Sequence, residues 1–211
     1  MPSAVEDLLA RTGTGRRADA QRNAQRLVAA ARAALDEDGL EVTTREVARR
    51  AGVGLGTLYR QIPNLDELLS AIVLDAIVEM TDQATRALED PDPWEGFARF
   101  AGTFVQLRAA SCGLHAALSS DRDPAIDAEV ARLRQAVGKL VRHAQKAGVL
   151  RSDVDWRDVP FALASAIPAG RTIGIPAKQD QWRRNLAIIL RGMRADAGVA
   201  GPPDTAEPDG G

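Results

Sequence analysis

The chain has 211 residues, of which 45% are hydrophobic, and its 27 Lys and Arg against 29 Asp and Glu give a formal net charge of −2 at pH 7. This length suffices for one large or two small domains, and the charge excludes a protein that is basic over its whole surface, so any nucleic-acid-binding surface must be local. With a single cysteine, Cys112, no signal peptide and no apolar run of about 20 residues, we expect a cytoplasmic protein that does not enter membranes.

The N-terminal segment is predicted to be a flexible arm. Residues 1–17 combine glycine, threonine and proline without a sustained period and end in Arg16 and Arg17, which could reach DNA. A helical repeat that starts at about residue 18 and includes Leu27 and Leu35 then predicts one helix of about five turns, which Gly39 ends.

Two short helices are predicted next, on either side of a tight glycine turn. Thr43 stands three residues before Glu46, and this spacing is typical of a capping box that opens a helix. Gly52 closes that helix. A second helix can run from Gly54 to Ile62, where the following proline forbids continuation.

The remaining apolar patterns also have helical spacing. They predict helices from Asn64 to about Leu88, from Trp94 to about Leu107, from Leu114 to Ser119, from Pro124 to Ala147, from Trp156 to Thr172 with a kink at Pro168, and from Gln179 to Arg194. Because no segment alternates apolar and polar residues with β-branched enrichment, the expected fold is all-α with about nine helices. The composition of residues 197–211 predicts a disordered tail.

The pair of short helices has the features of a DNA-binding helix-turn-helix, in which a second helix presents its N-terminal residues to base edges in the major groove. Thr43 and Thr44 place hydroxyls and amide donors at a helix N-terminus, where a phosphate binds readily, and Arg45 can reach a base or a phosphate. Gly54 and Gly56 leave the start of the second helix without side chains. Each glycine makes the helix less stable than alanine would, by about 1 kcal/mol. Glycines that destabilise the helix in this way indicate that its backbone must approach the DNA duplex closely.

The rest of the second helix divides into an inward and an outward side. Leu58 and Ile62 are predicted to pack inward. The outward side is predicted to offer Thr57, Tyr59, Arg60 and Gln61 to the DNA.

This stretch resembles the DNA-binding domain of the TetR family of repressors, in which a threonine-led helix, an Ala-Gly-Val turn and a Gly-Thr-Leu-Tyr helix precede a capped fourth helix. The residues that carry the resemblance are Thr43, Thr44, Ala48, Ala51, Gly52, Val53, Gly56, Thr57, Leu58, Tyr59 and Leu68. Gly54, the Gln61-Ile62 pair and Leu65 depart from the family's usual capping serine, His-Phe pair and phosphate-contacting lysine. The predicted DNA-binding set comprises Thr43, Thr44, Arg45, Gly54, Leu55, Gly56, Thr57, Tyr59, Arg60 and Gln61.

The resemblance implies a DNA-binding domain at residues 18–63 and a ligand-binding and dimerisation domain at residues 64–196. It implies a repressor that an unknown small-molecule inducer releases from double-stranded operator DNA, with no cofactor. A homodimer is expected on physical grounds as well, because one recognition helix reads too few base pairs for useful specificity.

Two sets of residues are candidates for the functions of the C-terminal half. The candidate ligand pocket comprises Phe97, Phe100, Phe104, Arg108, Cys112 and His115. The last two helices carry more apolar residues than one helix face needs for its own core, and the candidate dimer interface there comprises Phe161, Ile167, Trp182, Leu186, Ile189 and Leu190.

The chain has few residues that could serve catalysis or metal binding. Cys112 and His115 stand three residues apart, but no orienting third residue or oxyanion-forming turn accompanies them, so an enzyme is not expected. Two histidines and one cysteine are too few soft donors for a metal site. The alternative function is a redox-sensing regulator that uses Cys112. A module that binds only protein would not explain why Gly54 and Gly56 leave a helix face without side chains. The sequence does not specify the operator, the inducer, or repression as opposed to activation.

Overall fold

The computed structural model describes residues 3–11, 18–38, 42–110, 124–168 and 170–195. Within these residues the fold consists of nine helices and one small hairpin, and the all-α prediction is confirmed. The elements in chain order are α1 (Ala4–Arg11), α2 (Ala18–Asp38), α3 (Thr44–Ala51), α4 (Leu55–Gln61), α5 (Leu65–Ala87), α6 (Pro93–Ala110), α7 (Pro124–Lys146), α8 (Asp158–Ser165), β1 (Arg171–Thr172), β2 (Ile175–Pro176) and α9 (Gln181–Met193). The predicted helix from Leu114 to Ser119 lies outside the described residues.

Helix α1 corrects the prediction of a flexible N-terminal arm. Ser3 and Glu6 form a capping box, in which the Glu6 N–H donates to the Ser3 hydroxyl at 3.1 Å and the Ser3 N–H donates to the Glu6 carboxylate at 3.0 Å. Val5 and Leu8 are buried where α1 packs on α5. Eight residues are too few for a helix to be stable alone, so tertiary packing stabilises a segment whose sequence shows no sustained period. Arg16 and Arg17 lie outside the described residues.

The prediction of a long helix from Trp156 to Thr172 is also wrong. Helix α8 covers only Asp158–Ser165, and an antiparallel hairpin, β1 with β2, follows it. Pro168 accounts for the early end, because proline lacks an N–H and disfavours helical geometry in the residue before it. The chain then turns at Gly174, which has a left-handed φ of 81°.

Helix α5 is the central element of the fold. It packs against α1 and α2 on the N-terminal side and against α6 and α7 on the C-terminal side. Asn64 caps it as predicted, since its side-chain oxygen accepts from the N–H groups of Asp66 at 3.0 Å and Glu67 at 3.4 Å. Its buried residues are Leu68, Leu69, Ala71, Ile72, Val73, Ile77, Met80, Ala84 and Ala87. A single helix therefore connects the N-terminal helices mechanically to the C-terminal ones.

The three helices α2, α3 and α4 build a small core at the N-terminal end. Leu27, Val47 and Leu58, one from each helix, are fully buried. No helix in the described part of the chain is both long enough and apolar enough to cross a membrane.

Candidate nucleic-acid interface

Helix α3 is a short helix with well-defined ends. Thr43 has an extended backbone with φ −104° and ψ 150°, and its hydroxyl accepts from the Glu46 N–H at 3.3 Å. At the other end Gly52 has a left-handed φ of 65°, and the following Val53 N–H donates to the Ala48 carbonyl at 3.1 Å. Glycine takes this conformation without steric cost, so the tight turn into α4 follows directly from the sequence.

The capping box predicted for Thr43 and Glu46 forms only in part. The Glu46 carboxylate accepts from the Arg49 side chain at 2.8 Å and also from Arg50, instead of reaching back to the Thr43 N–H. Hydrogen bonds from Arg49 and then Arg50 lower the pKa of Glu46 to about 2. Arg50 also pairs with Glu37 of α2 at 2.9 Å, so this ion network connects α3 to the helix behind it.

The outward face of the two short helices carries most of the residues predicted to bind DNA. Thr43, Arg45, Leu55 and Arg60 are exposed, Thr44 and Thr57 are half-buried, and Tyr59 has 55% of its surface exposed. An exposed tyrosine at the centre of a polar helix face offers both a hydroxyl and an aromatic ring to an external surface.

Gly54 and Gly56 are not explained by the protein's own packing. Neither has a positive φ, and no atom of the described residues lies within 4 Å of a Cβ built at either position. Gly54 also leaves α4 without a side-chain cap. Both positions would therefore accept alanine without strain against the described residues, which leave this stretch of backbone open.

The prediction that Gln61 lies on the exposed side of α4 is wrong. Gln61 is 4% exposed, and its Oε1 atom accepts no hydrogen bond in the part of the chain that the structure describes. Residues three apart share a helix face, so Gln61 lies on the same side as the fully buried Leu58. Ile62 is buried as predicted.

The residues predicted to form a ligand pocket divide into two groups. Phe97 and Phe100 are buried in the core, whereas Phe104 and Arg108 line a cavity of about 510 Å³ between α6, α7 and α8. Cys112 and His115 lie outside the described residues. Arg134, Trp156 and Arg157 also line the cavity and were not predicted, since nothing in their spacing along the chain relates them to Phe104. Phe161, predicted for the dimer interface, lines it as well.

The predicted interface residues on α8 and α9 differ in exposure. Phe161 is 80% exposed, while Leu186 is buried within its own protomer. The others, Ile167, Trp182, Ile189 and Leu190, are half-buried. Ile188, which the sequence analysis did not single out, adds a side chain that is 66% exposed. The two helices thus present apolar surface that the described residues of one protomer leave exposed.

The chain is similar to known transcriptional regulators over most of its length. The model for bacterial regulatory proteins of the tetR family matches residues 27–72, and the model for the C-terminal domain of SbtR-like transcriptional regulators matches residues 92–195. A search of curated proteins gave no significant match.

Solved structures show the same similarity. A TetR transcription regulatory protein from Mycobacterium vanbaalenii is 32% identical, with 84% of this chain and 98% of that one covered and a TM-score of 0.57. A TetR regulator from Streptomyces coelicolor is 28% identical, with 81% and 97% covered and a TM-score of 0.58. AibR, solved with isovaleryl coenzyme A and operator DNA, shares the fold at 18% identity, with 82% and 98% covered and a TM-score of 0.60.

Proposed function

The chain belongs to the TetR family of DNA-binding transcriptional regulators, and on that premise we propose that it is a homodimeric repressor that a small molecule releases from its operator. It would act in the cytoplasm and catalyse no reaction. The observation that carries the proposal is the outward face of α4, where exposed Tyr59 lies beside two glycines that neither conformation nor packing requires. Close contact with a DNA duplex would explain both the exposed tyrosine and the two glycines.

Individual contacts follow from the chemistry of the exposed groups. The N-terminus of α3, with Thr43 and Thr44, is proposed to bind a backbone phosphate, because helix N-termini carry free amide donors and partial positive charge. The cations of Arg45 and Arg60 add phosphate or base contacts, and Tyr59 contacts a base or phosphate through its hydroxyl. We omit Gln61 from the contact set because its side chain is buried.

Dimerisation is proposed to use α8 and α9. The exposed apolar side chains of Phe161 and Ile188 favour association with a second copy through these helices. Pairing places two copies of α4 at a fixed separation, which matches two half-sites of a palindromic operator.

Release of DNA is proposed to depend on α5. Helix α4 ends at Gln61 and α5 begins at Leu65, so a tilt of α5 moves the recognition helix. Because α5 packs on α6 and α7, a ligand among these helices can bias its position. A coupling of about 1–3 kcal/mol would change operator affinity by 5- to 150-fold. AibR, which has the same fold, was solved with both isovaleryl coenzyme A and operator DNA, so a protein of this fold can bind both kinds of partner. Structures with and without inducer that had the same half-site spacing would contradict it.

The test is selection of bound duplexes from a random DNA library at physiological salt. The wild-type protein is expected to enrich a palindrome. A Thr44→Ala, Tyr59→Ala double variant is expected to lose this enrichment. If no sequence is enriched and the double variant behaves as the wild type does, the proposal is wrong.

A charge-matched pair of variants separates DNA contact from a general loss of positive charge. Arg60→Ala removes an exposed cation from α4, and Lys139→Ala removes one from the distant α7. On the selected palindrome, Arg60→Ala is expected to reduce the slope of log affinity against log salt by about one, while Lys139→Ala leaves it unchanged. Equal slopes for the two variants would exclude Arg60 from the interface.

A further inference from the structure

We propose that the cavity between α6, α7 and α8 binds an organic anion with an apolar body, held by Arg108, Arg134 and Arg157. The inference rests on the proposed function and specifies the chemical class of its inducer.

The apolar part of the ligand is argued from the shape and lining of the cavity. Its volume of about 510 Å³ lies within the range of about 300–1,000 Å³ that is typical of small-molecule sites. Among the described residues eleven line the cavity, and eight of these are apolar or aromatic: Phe104, Val130, Leu133, Val137, Trp156, Pro160, Phe161 and Ala164. Burial of an aliphatic or aromatic body against this surface supplies the hydrophobic part of the affinity.

The charge of the ligand is argued from the three remaining residues. All three are arginines, one each from α6, α7 and the residue before α8, and none of the described lining residues is Asp or Glu. Arginine presents a planar set of donors that matches carboxylate and phosphate oxygens in pairs. The cavity therefore places three guanidinium groups beside an apolar wall, a combination that suits an anion with an apolar body.

The surroundings of the arginines favour this role. Partial burial lowers the pKa of Arg108, and a partly dehydrated cation attracts an anion more strongly than one in open water. Arg157 contacts Asp155 at 3.3 Å outside the cavity, and its guanidinium lies over the Trp156 ring at 4.9 Å. This stacking holds the Arg157 side chain at the cavity wall before any ligand arrives.

The position of the cavity connects it to the proposed mechanism. Phe104 lies on α6, which packs against α5, so an occupant can act on the helix that joins the recognition helix. Phe161 belongs both to the cavity lining and to the proposed dimer interface. An occupant therefore touches the proposed dimer interface directly and acts on α5 through α6, and these two elements are proposed to set the separation of the two recognition helices.

The test compares octanoate with octanol, two probes that differ in the anionic head group. Binding to the 211-residue chain, without DNA, is followed by calorimetry and by intrinsic tryptophan fluorescence, to which Trp156 at the cavity contributes. Octanoate is expected to bind about tenfold more tightly than octanol, the effect of one charge-assisted contact. Equal affinities, or no binding of octanoate, would overturn the proposal.

Variants assign the charge preference to the cavity. Arg134→Gln is expected to weaken octanoate binding about tenfold and to leave octanol binding unchanged, because only the anion uses the guanidinium. Lys139→Gln removes an exposed cation from the same helix outside the cavity and is expected to change neither. If the two variants bind octanoate equally, Arg134 is not part of an anion site.

Failure of this inference can be told apart from failure of the proposed function. If the protein selects a palindrome but does not prefer octanoate over octanol, the regulatory proposal stands and the proposed ligand class is wrong. If the protein binds octanoate through Arg134 but selects no palindrome, the anion site stands and the regulatory proposal is wrong.

Discussion

Replacement of Gly56 by alanine is expected to change protein stability and DNA affinity in opposite directions. Gly56 lies in the first turn of α4, its φ is not positive, and a Cβ there meets no atom of the described residues within 4 Å. Alanine should therefore relieve the entropic cost of glycine and stabilise the free protein by about 0.5–1 kcal/mol, or about 1–4 °C in Tm.

On DNA the same methyl group should be unfavourable. If the α4 backbone approaches the duplex closely, the added atom meets the groove wall, and a packing conflict of about 1–3 kcal/mol weakens operator binding about 5- to 150-fold. Thermal unfolding without DNA and titration of the selected palindrome measure the two effects separately.

Gly102→Ala is the matched control. Gly102 also lies within a helix, α6, without positive φ and without a described atom within 4 Å of a Cβ. It is expected to stabilise the protein by a similar amount and to leave operator affinity unchanged. If Gly56→Ala raised Tm but bound operator as tightly as the wild type, the α4 backbone would not approach the duplex closely at Gly56.

Glu46, Asp75 and Ile188 each allow a test of one feature of the fold. The pKa of Glu46 is about 2 in the fold, below its ordinary value of 4.5, so its contribution to the free energy of unfolding is present above pH 4.5 and is lost as the pH falls toward 2. Denaturation at pH 6 and pH 3 should therefore show a smaller loss of stability for Glu46→Gln than for the wild type, and equal losses would contradict this. The Asp75 carboxylate accepts a hydrogen bond from the Ala4 N–H at 2.6 Å. Asp75→Ala should therefore destabilise the packing of α1 by about 1–3 kcal/mol, which faster hydrogen exchange at residues 4–11 would reveal. Exchange that matched the wild type would rule this out. Ile188→Glu places a charge on the exposed apolar face of α9 and should shift sedimentation toward the monomer, whereas an unchanged dimer would move the interface elsewhere.

The sequence alone determined the helix-turn-helix and the ends of its helices. Thr43, Gly52 and Asn64 act within a few residues of their own positions, through caps and a left-handed turn, so their effect can be read from local sequence. The family resemblance also lies in this segment, and the structural comparisons confirm it.

Errors in the sequence analysis arose where distant segments decide the local structure. Helix α1 has too few residues to show a period and is stabilised by burial of Val5 and Leu8 against α5, about 70 residues further along the chain. Gln61 was assigned to the surface from its polarity, yet its position on the face of Leu58 buries it.

The cavity, too, was decided only by the tertiary structure. Arg108, Arg134 and Arg157 are separated by more than twenty residues each and have no shared motif, so no pattern along the chain relates them. The packing of α6, α7 and α8 brings them to one cavity, because helix faces that bury their apolar residues also fix the direction of the polar residues beside them. Local interactions therefore determined the helix-turn-helix, and long-range packing decided where the cavity lies, because only the folded chain brings these three helices together.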